Sequence, residues 1–267
     1  MEFHSRTALI LAAVIKEYIN TGHPVGSKDL SENYNLGVSP ATIRSEMARL
    51  EKDGYLVQPH TSAGRIPTDK GYKVFVQELM RRFELSDRER RHLRTELTQL
   101  KRKHEELGRS ISKLLAETTS QAAFALLPEA SGTAGAANLI DKEAGAQETK
   151  EAVSFLEEVE DHSRELLREY FQEEPEIYPH TGKGGKRAGS SEHESGAGVY
   201  IGKEIKLADT SNYTLIVSGV RLPSGQKGLI GIVGPKRMKY EKNVSVIEYV
   251  AKLLSSGLGA YMLFVNF

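Results

Sequence analysis

A chain of 267 residues suits one large domain or two ordinary ones. Its charges cancel, 36 Lys+Arg against 36 Asp+Glu, so net charge implies no nucleic-acid or membrane partner and any such signal must be local. The absence of cysteine excludes disulfides, thiolate zinc sites and a Cys nucleophile. The opening "MEFHSRTALILAAVIKEYIN" places Lys16, Glu17 and Asn20 directly after a short apolar run, which does not read as a signal peptide. No apolar stretch approaches the roughly 18 residues of a membrane span, and a soluble cytoplasmic protein with no membrane partner is the expectation.

The first predicted helix carries Leu9, Ala13, Ile15 and Ile19 as its apolar stripe and ends at "TGHPVGS". Ser27 is expected to cap a short second helix, with Leu30 and Tyr34 on one side. "NLGVS" is a turn in which Gly37 takes a positive φ at little cost. Ser39 then reads as an N-cap and Pro40 as the first helical residue of a third helix. There Ile43, Met47 and Leu50 recur at i, i+4, i+7 as the buried stripe, and Asp53-Gly54 stops it. Two helices joined by a short Gly-containing turn match a helix-turn-helix. "GYLVQP" reads as a strand, "HTSAGRI" as a tight turn, and "PTDKGYKVFVQELM" as a returning strand or helix, so the helices carry a wing.

The exposed side of the third helix mixes very small and basic side chains. Ala41, Ser45 and Ala48 permit close approach to a groove about 12 Å wide, while Thr42, Arg44 and Arg49 reach base edges or phosphates. Free N–H groups from Ser39 to Thr42 suit a phosphate. On the wing, His60, Thr61 and Arg65 are placed to touch DNA backbone or minor groove. The alternative is a solvated helix in a helical domain of other function.

The stretch "PVGSKDLSENYNLGVSPATIRSEMARLEKDGYLVQPHTSAGRIPTDKGY" closely resembles the heat-inducible transcription repressor HrcA family, as do "VYIGKE", "GLIGIVGPKRMKY" and "VIEYVAKLLS" near the C-terminus. The resemblance implies a dimeric repressor of heat-shock chaperone genes, bound to double-stranded DNA at an inverted-repeat operator and kept active by a chaperonin. It also implies a winged helix, a GAF-like sensor domain and a dimerisation domain inserted into the latter. Here the middle is short, only "PEASGTAGAANLIDKEAGAQETKEA", so the insert is truncated.

The fold class expected is therefore α+β: an N-terminal winged helix-turn-helix (1–80), a long linker helix and connection (81–127), flexible linkers around an acidic helix (128–198), and a C-terminal GAF-like α+β unit (199–267). Ser86 and Glu89 form a capping box that starts the long helix. Along it Leu93, Leu97, Leu100, His104, Leu107, Ile111 and Leu114 alternate in steps of four and three, a heptad seam that serves either dimerisation or the chain's own core. "PEASGTAGAAN" and "HTGKGGKRAGSSEHESGAG" read as linkers or loops. "YTLIVSGVRL-PSG-QKGLIGIVG" is an antiparallel hairpin, followed by a helix from about 241 to 256 with Ile247, Val250, Ala251 and Leu254 inward.

No catalytic pattern emerges. Neither "TGKGGK" nor "GQKGLIG" fits a phosphate-binding loop, "SISK" lies within the long helix, and the eight histidines form no ligand cluster. No enzyme, cofactor or metal is expected. A second functional reading is a ligand-sensing regulator whose GAF-like domain binds a small metabolite.

Overall fold

The computed structural model describes residues 5–60, 63–81, 83–100, 107–128, 131–139, 154, 157–159, 161, 196–205, 212–222 and 225–256. Two compact units divide the chain, one of residues 1–81 with 236–240 and the other of 82–235 with 241–267. The architecture is mixed helix and sheet, α+β.

The first unit opens with α1 (Ser5–Thr21), α2 (Ser27–Asn33) and α3 (Pro40–Lys52). On α1 the buried face is Ile10, Leu11, Ala13, Val14 and Ile15, whereas Leu9 stands 56% exposed. The expected stripe is thus one position off at its start: Ile10, three and four residues before Ala13 and Val14, shares their face, and Leu9 does not. The cap of α2 is Gly26 rather than Ser27, and the Gly26 N–H donates to Asp29 Oδ2 at 3.1 Å. Tyr34 follows α2; burial first, then a hydrogen bond with Glu17 of α1, pushes its phenol up to about 12.

Gly37 takes φ +65°, as the turn before α3 requires. Ser39 caps α3, its Oγ accepting the Thr42 N–H at 3.2 Å, with Pro40 at the first position. Ile43, Met47 and Leu50 are fully buried, and α3 packs on α1 and α2. Ser39→Ala is expected to lower this unit's stability by about 1 kcal/mol in thermal melts, with Asp at the position restoring it.

After α3 the chain forms β1 (Leu56–Val57) and β2 (Ile66–Pro67), paired antiparallel. Val25 adds an isolated antiparallel bridge to Arg65. Helix α4 (Asp69–Val74) runs on into a π-helical turn, Phe75–Leu79. Thr68 fastens the start of α4, donating its hydroxyl to the Gly54 carbonyl at 2.7 Å and accepting from the Gly71 N–H. Lys70 donates to the Asp53 carbonyl and lies 4.1 Å over the Tyr55 ring. Residues 236–240 complete this unit: the Tyr240 ring lies 5.7 Å from Tyr72 and 6.5 Å from Phe75, and Lys236 pairs with Asp69.

The second unit contains α5 (Asp87–Leu100), α6 (Leu107–Thr119), β3 (Ala122–Leu126), β4 (Ser131–Ala134), β5 (Gly198–Ile201), β6 (Tyr213–Arg221), β7 (Lys227–Pro235) and α7 (Tyr240–Ser255), whose first residue is shared with the other unit. The strands form one antiparallel sheet in the order β4-β3-β7-β6-β5. Ala122, Phe124, Leu126, Val217, Leu229 and Val233 lie in one buried cluster, while α6 packs on β3 and β4. The buried Ser112 hydroxyl of α6 reaches the Gly132 carbonyl of β4 at 2.6 Å. The 213–235 hairpin and the inward set of α7 (Ile247, Val250, Ala251, Leu254) follow the sequence reading.

Two expectations change. The single long helix is instead α5 and α6, which pack against each other within 8 Å between Cα atoms. One straight helix would hold even its nearest pair, Leu100 and Leu107, about 10.5 Å apart at a rise of 1.5 Å per residue. The capping box stands: Glu89 N–H donates to Ser86 Oγ at 3.3 Å and Ser86 N–H to Glu89 Oε2 at 2.9 Å. Hydrogen bonds from Ser86, side chain before backbone, hold the Glu89 carboxyl below its ordinary range. Second, part of the presumed linker 128–138 is the edge strand β4, paired with β3 from Ala123↔Ala134 to Leu126↔Ser131. Small residues there are demanded by close packing on α6, not by freedom of the chain.

Candidate nucleic-acid interface

The side of α3 opposite its buried stripe is open. Ala41, Arg44, Ser45, Ala48 and Arg49 are exposed, and Thr42 is half-buried beside its cap. These residues recur at helical spacings of three and four, so they form one continuous stripe of small and basic side chains. Arg49 lies 4.0 Å from Asp53, both side chains about half in solvent, which leaves its guanidinium available to a stronger anion. Of the four residues from Ser39 to Thr42, Pro40 has no N–H and Thr42's is taken by Ser39 Oγ. The helix start is therefore a poorer phosphate cradle than four free donors would be.

At the hairpin, His60 is exposed and its carbonyl accepts the Ala63 N–H at 2.9 Å, closing the tip. Gln58 Nε2 donates across the same turn to the Ala63 carbonyl at 2.8 Å. Thr61 lies outside the described residues. Arg65 departs from the surface set: its Nε donates to Glu51 Oε2 at 2.9 Å, and its side chain is only 14% exposed. Glu51 carried no signal in the sequence, because it meets Arg65 across the hairpin and not along a helix face.

The leucine seam is buried inside a single chain. Leu93, Leu97, Ile111 and Leu114 are at most 5% exposed, and Leu107 is half-buried. Those four side chains are covered by the chain's own packing. His104 lies outside the described residues, as does the side chain of Leu100. The Gly-rich "TGKGGK" also falls outside them. Among the described residues there is no group of three or more His, Cys, Asp or Glu able to hold a metal, and no helix long and apolar enough to cross a membrane.

Fold and surface together define an α+β chain with a helical unit that offers a basic, small-residue helix and a short hairpin. The family model for the HrcA protein C-terminal domain matches residues 71–244. The chain belongs to the HrcA family. It is 49% identical over 129 residues to a heat-inducible transcription repressor HrcA of Moorella thermoacetica, covering 48% of this chain and 38% of that protein. A relative of the same name from Thermobifida fusca is 48% identical over 123 residues, covering 46% and 36%. The matched region thus spans less than two fifths of these curated relatives. A crystal structure described as that of a hypothetical protein shares the fold, with a TM-score of 0.67, 20% identity, and coverage of 97% of this chain and 98% of that one.

Proposed function

We propose that this chain is a sequence-specific DNA-binding repressor of heat-shock chaperone genes. The observation that carries the reading is the α3 stripe, whose exposed arginines stand among residues small enough for groove entry while the opposite face is fully buried. In this reading 5–81 is a winged helix, α3 is its recognition helix, and the β1–β2 hairpin is the wing. Thr42, Arg44, Ser45 and Arg49 read or clamp the major groove, Ala41 and Ala48 keep the approach close, and Ser39 sets the helix start. His60 contacts the DNA backbone, a role the sequence also assigns to Thr61. The relatives' name supports heat-inducible repression. The antiparallel sheet flanked by helices supports a GAF-like second unit. The protein acts in the cytoplasm as a dimer on an inverted repeat, with a chaperonin as regulatory partner. No catalytic step belongs to this function.

Fluorescence anisotropy tests it with an inverted-repeat duplex from a chaperone promoter, its half-site and a scrambled duplex, each at two salt concentrations. Tight binding to the full repeat that survives added salt is expected. Equal, salt-sensitive binding to all three would sink operator recognition, since backbone attraction alone is sequence-blind. Arg44→Ala is expected to weaken operator binding by about 1–3 kcal/mol while sparing the scrambled duplex. Equal losses on both would restrict Arg44 to phosphate.

A further inference from the structure

Arg65 turns its side chain from the surface into the protein, and its bonds join three separate pieces of chain. Its backbone exchanges both hydrogen bonds with Val25, ahead of α2: Val25 N–H to the Arg65 carbonyl at 2.9 Å and Arg65 N–H to the Val25 carbonyl at 2.9 Å. Its side chain crosses to the last turn of α3, where Nε meets Glu51 Oε2 at 2.9 Å. Both partners are largely covered, with 14% of the Arg65 and 33% of the Glu51 side chain exposed. An ion pair so placed is shielded from water better than a surface pair, and stripping one partner leaves the other charge half-buried and uncompensated. The next residue, Ile66, begins β2, so the pair holds the wing strand directly to the helix that carries Arg44 and Arg49.

Resting on the DNA-binding reading above, we propose that Arg65 is a positioning residue and not a phosphate ligand: through Glu51 it fixes the wing against the recognition helix, so that both meet DNA in one geometry. The pair sets orientation; the exposed arginines of α3 supply the charge. Two consequences separate this role from phosphate contact. Neutralising Arg65 leaves the salt dependence of binding unchanged, whereas a lost phosphate contact lowers the slope of log K against log salt by about 0.9. Neutralising Glu51 weakens DNA binding as much as neutralising Arg65, although removing an acidic group from a phosphate-facing surface would strengthen it.

The experiment compares the full chain with Arg65→Met, Glu51→Gln, the double variant and Arg49→Ala. Affinities are measured on the inverted-repeat duplex and on a scrambled duplex of equal length over a series of salt concentrations. Circular dichroism establishes that each variant is folded at the assay temperature. Expected are losses of about tenfold for Arg65→Met and for Glu51→Gln, with the double variant no worse than either, as for directly coupled partners. The salt slope should stay at the wild-type value in all three and fall for Arg49→Ala. A slope reduced by about 0.9 in Arg65→Met, or Glu51→Gln binding as well as or better than wild type, overturns the proposal. Should Arg65→Met not fold, the neutral Arg65→Gln, which keeps a hydrogen-bond donor toward Glu51, takes its place and is expected to retain the slope with weakened affinity. Amide hydrogen exchange, measured without DNA, separates this claim from the reading beneath it. Faster exchange at Val25 and Arg65 in Glu51→Gln is expected even if the wild-type chain binds no duplex, and unchanged exchange overturns the positioning role.

Discussion

Leu50→Ala is expected to lower the unfolding free energy of the N-terminal unit by about 2–5 kcal/mol, read from urea denaturation followed by circular dichroism. Leu50 is 0% exposed and ends the Ile43–Met47–Leu50 stripe by which α3 packs on α1 and α2. Its carbonyl also accepts the Tyr55 N–H at 2.8 Å, so the side chain sits where the helix turns into β1. Truncation removes buried methyl groups and leaves a void that the packed core of α1, α2 and α3 fills only by shifting. A domain is typically stable by about 5–15 kcal/mol, so the loss takes a large share of the total. Exposed Ala48 on the same helix provides the control, since Ala48→Ser should move stability by less than about 0.5 kcal/mol. A Leu50→Ala loss below about 1 kcal/mol would show that the stripe is not the core of this unit.

The second large effect falls in the sheet. Gly231 lies in the middle of β7, opposite Phe124 on β3 and Val217 on β6. A Cβ built there would stand 2.4 Å from Phe124 Cζ and 2.9 Å from the Ile216 carbonyl oxygen. Intrinsic preference argues the other way, because Val is among the best strand residues and Gly among the worst, over a range of about 1 kcal/mol. Packing decides the sign. The Phe124 ring is 1% exposed and has nowhere to go, so Gly231→Val is expected to destabilise the C-terminal unit by about 3 kcal/mol, the upper end of overpacking. Adding Phe124→Leu should recover part of the loss, since the two changes share one space and their effects do not add. A valine that raises the melting temperature would sink the account and show that strand propensity outweighs packing at this position.

Local chemistry made the helical unit readable. The Ser39 cap, Pro40, the period of Ile43, Met47 and Leu50, and the positive φ of Gly37 each act within about two turns of chain, and all stand in the structure. The β6–β7 hairpin was equally plain, since its strands are continuous apolar runs about a short turn. By contrast β3, "AAFAL", has no alternation to announce it, as is usual for a short, fully buried run. Strand β4, "SGTA", looks like linker in sequence for the same small residues that let it lie against α6. On the candidate interface, the exposed face of α3 was legible from periodicity, whereas the fate of Arg65 was not. A basic residue on a hairpin looks alike in sequence whether it faces phosphate or a carboxylate.

By itself, then, the amino-acid order determined the helix caps and stripes, the small-and-basic face of α3, the 213–235 hairpin and membership of the HrcA family, because each is written in near neighbours or in long, specific runs. Tertiary structure decided what depended on distant partners. It spent the Leu93, Leu97, Ile111 and Leu114 seam on the chain's own core by setting α5 against α6, two helices whose leucine spacing would read the same had they been one. It drew Arg65 inward to Glu51. It also placed Tyr240 beside Tyr72 and Phe75, so that residues 236–240 belong with the helices at the start of the chain. Periodicity states which face of an element must be covered; only the packed fold states what covers it.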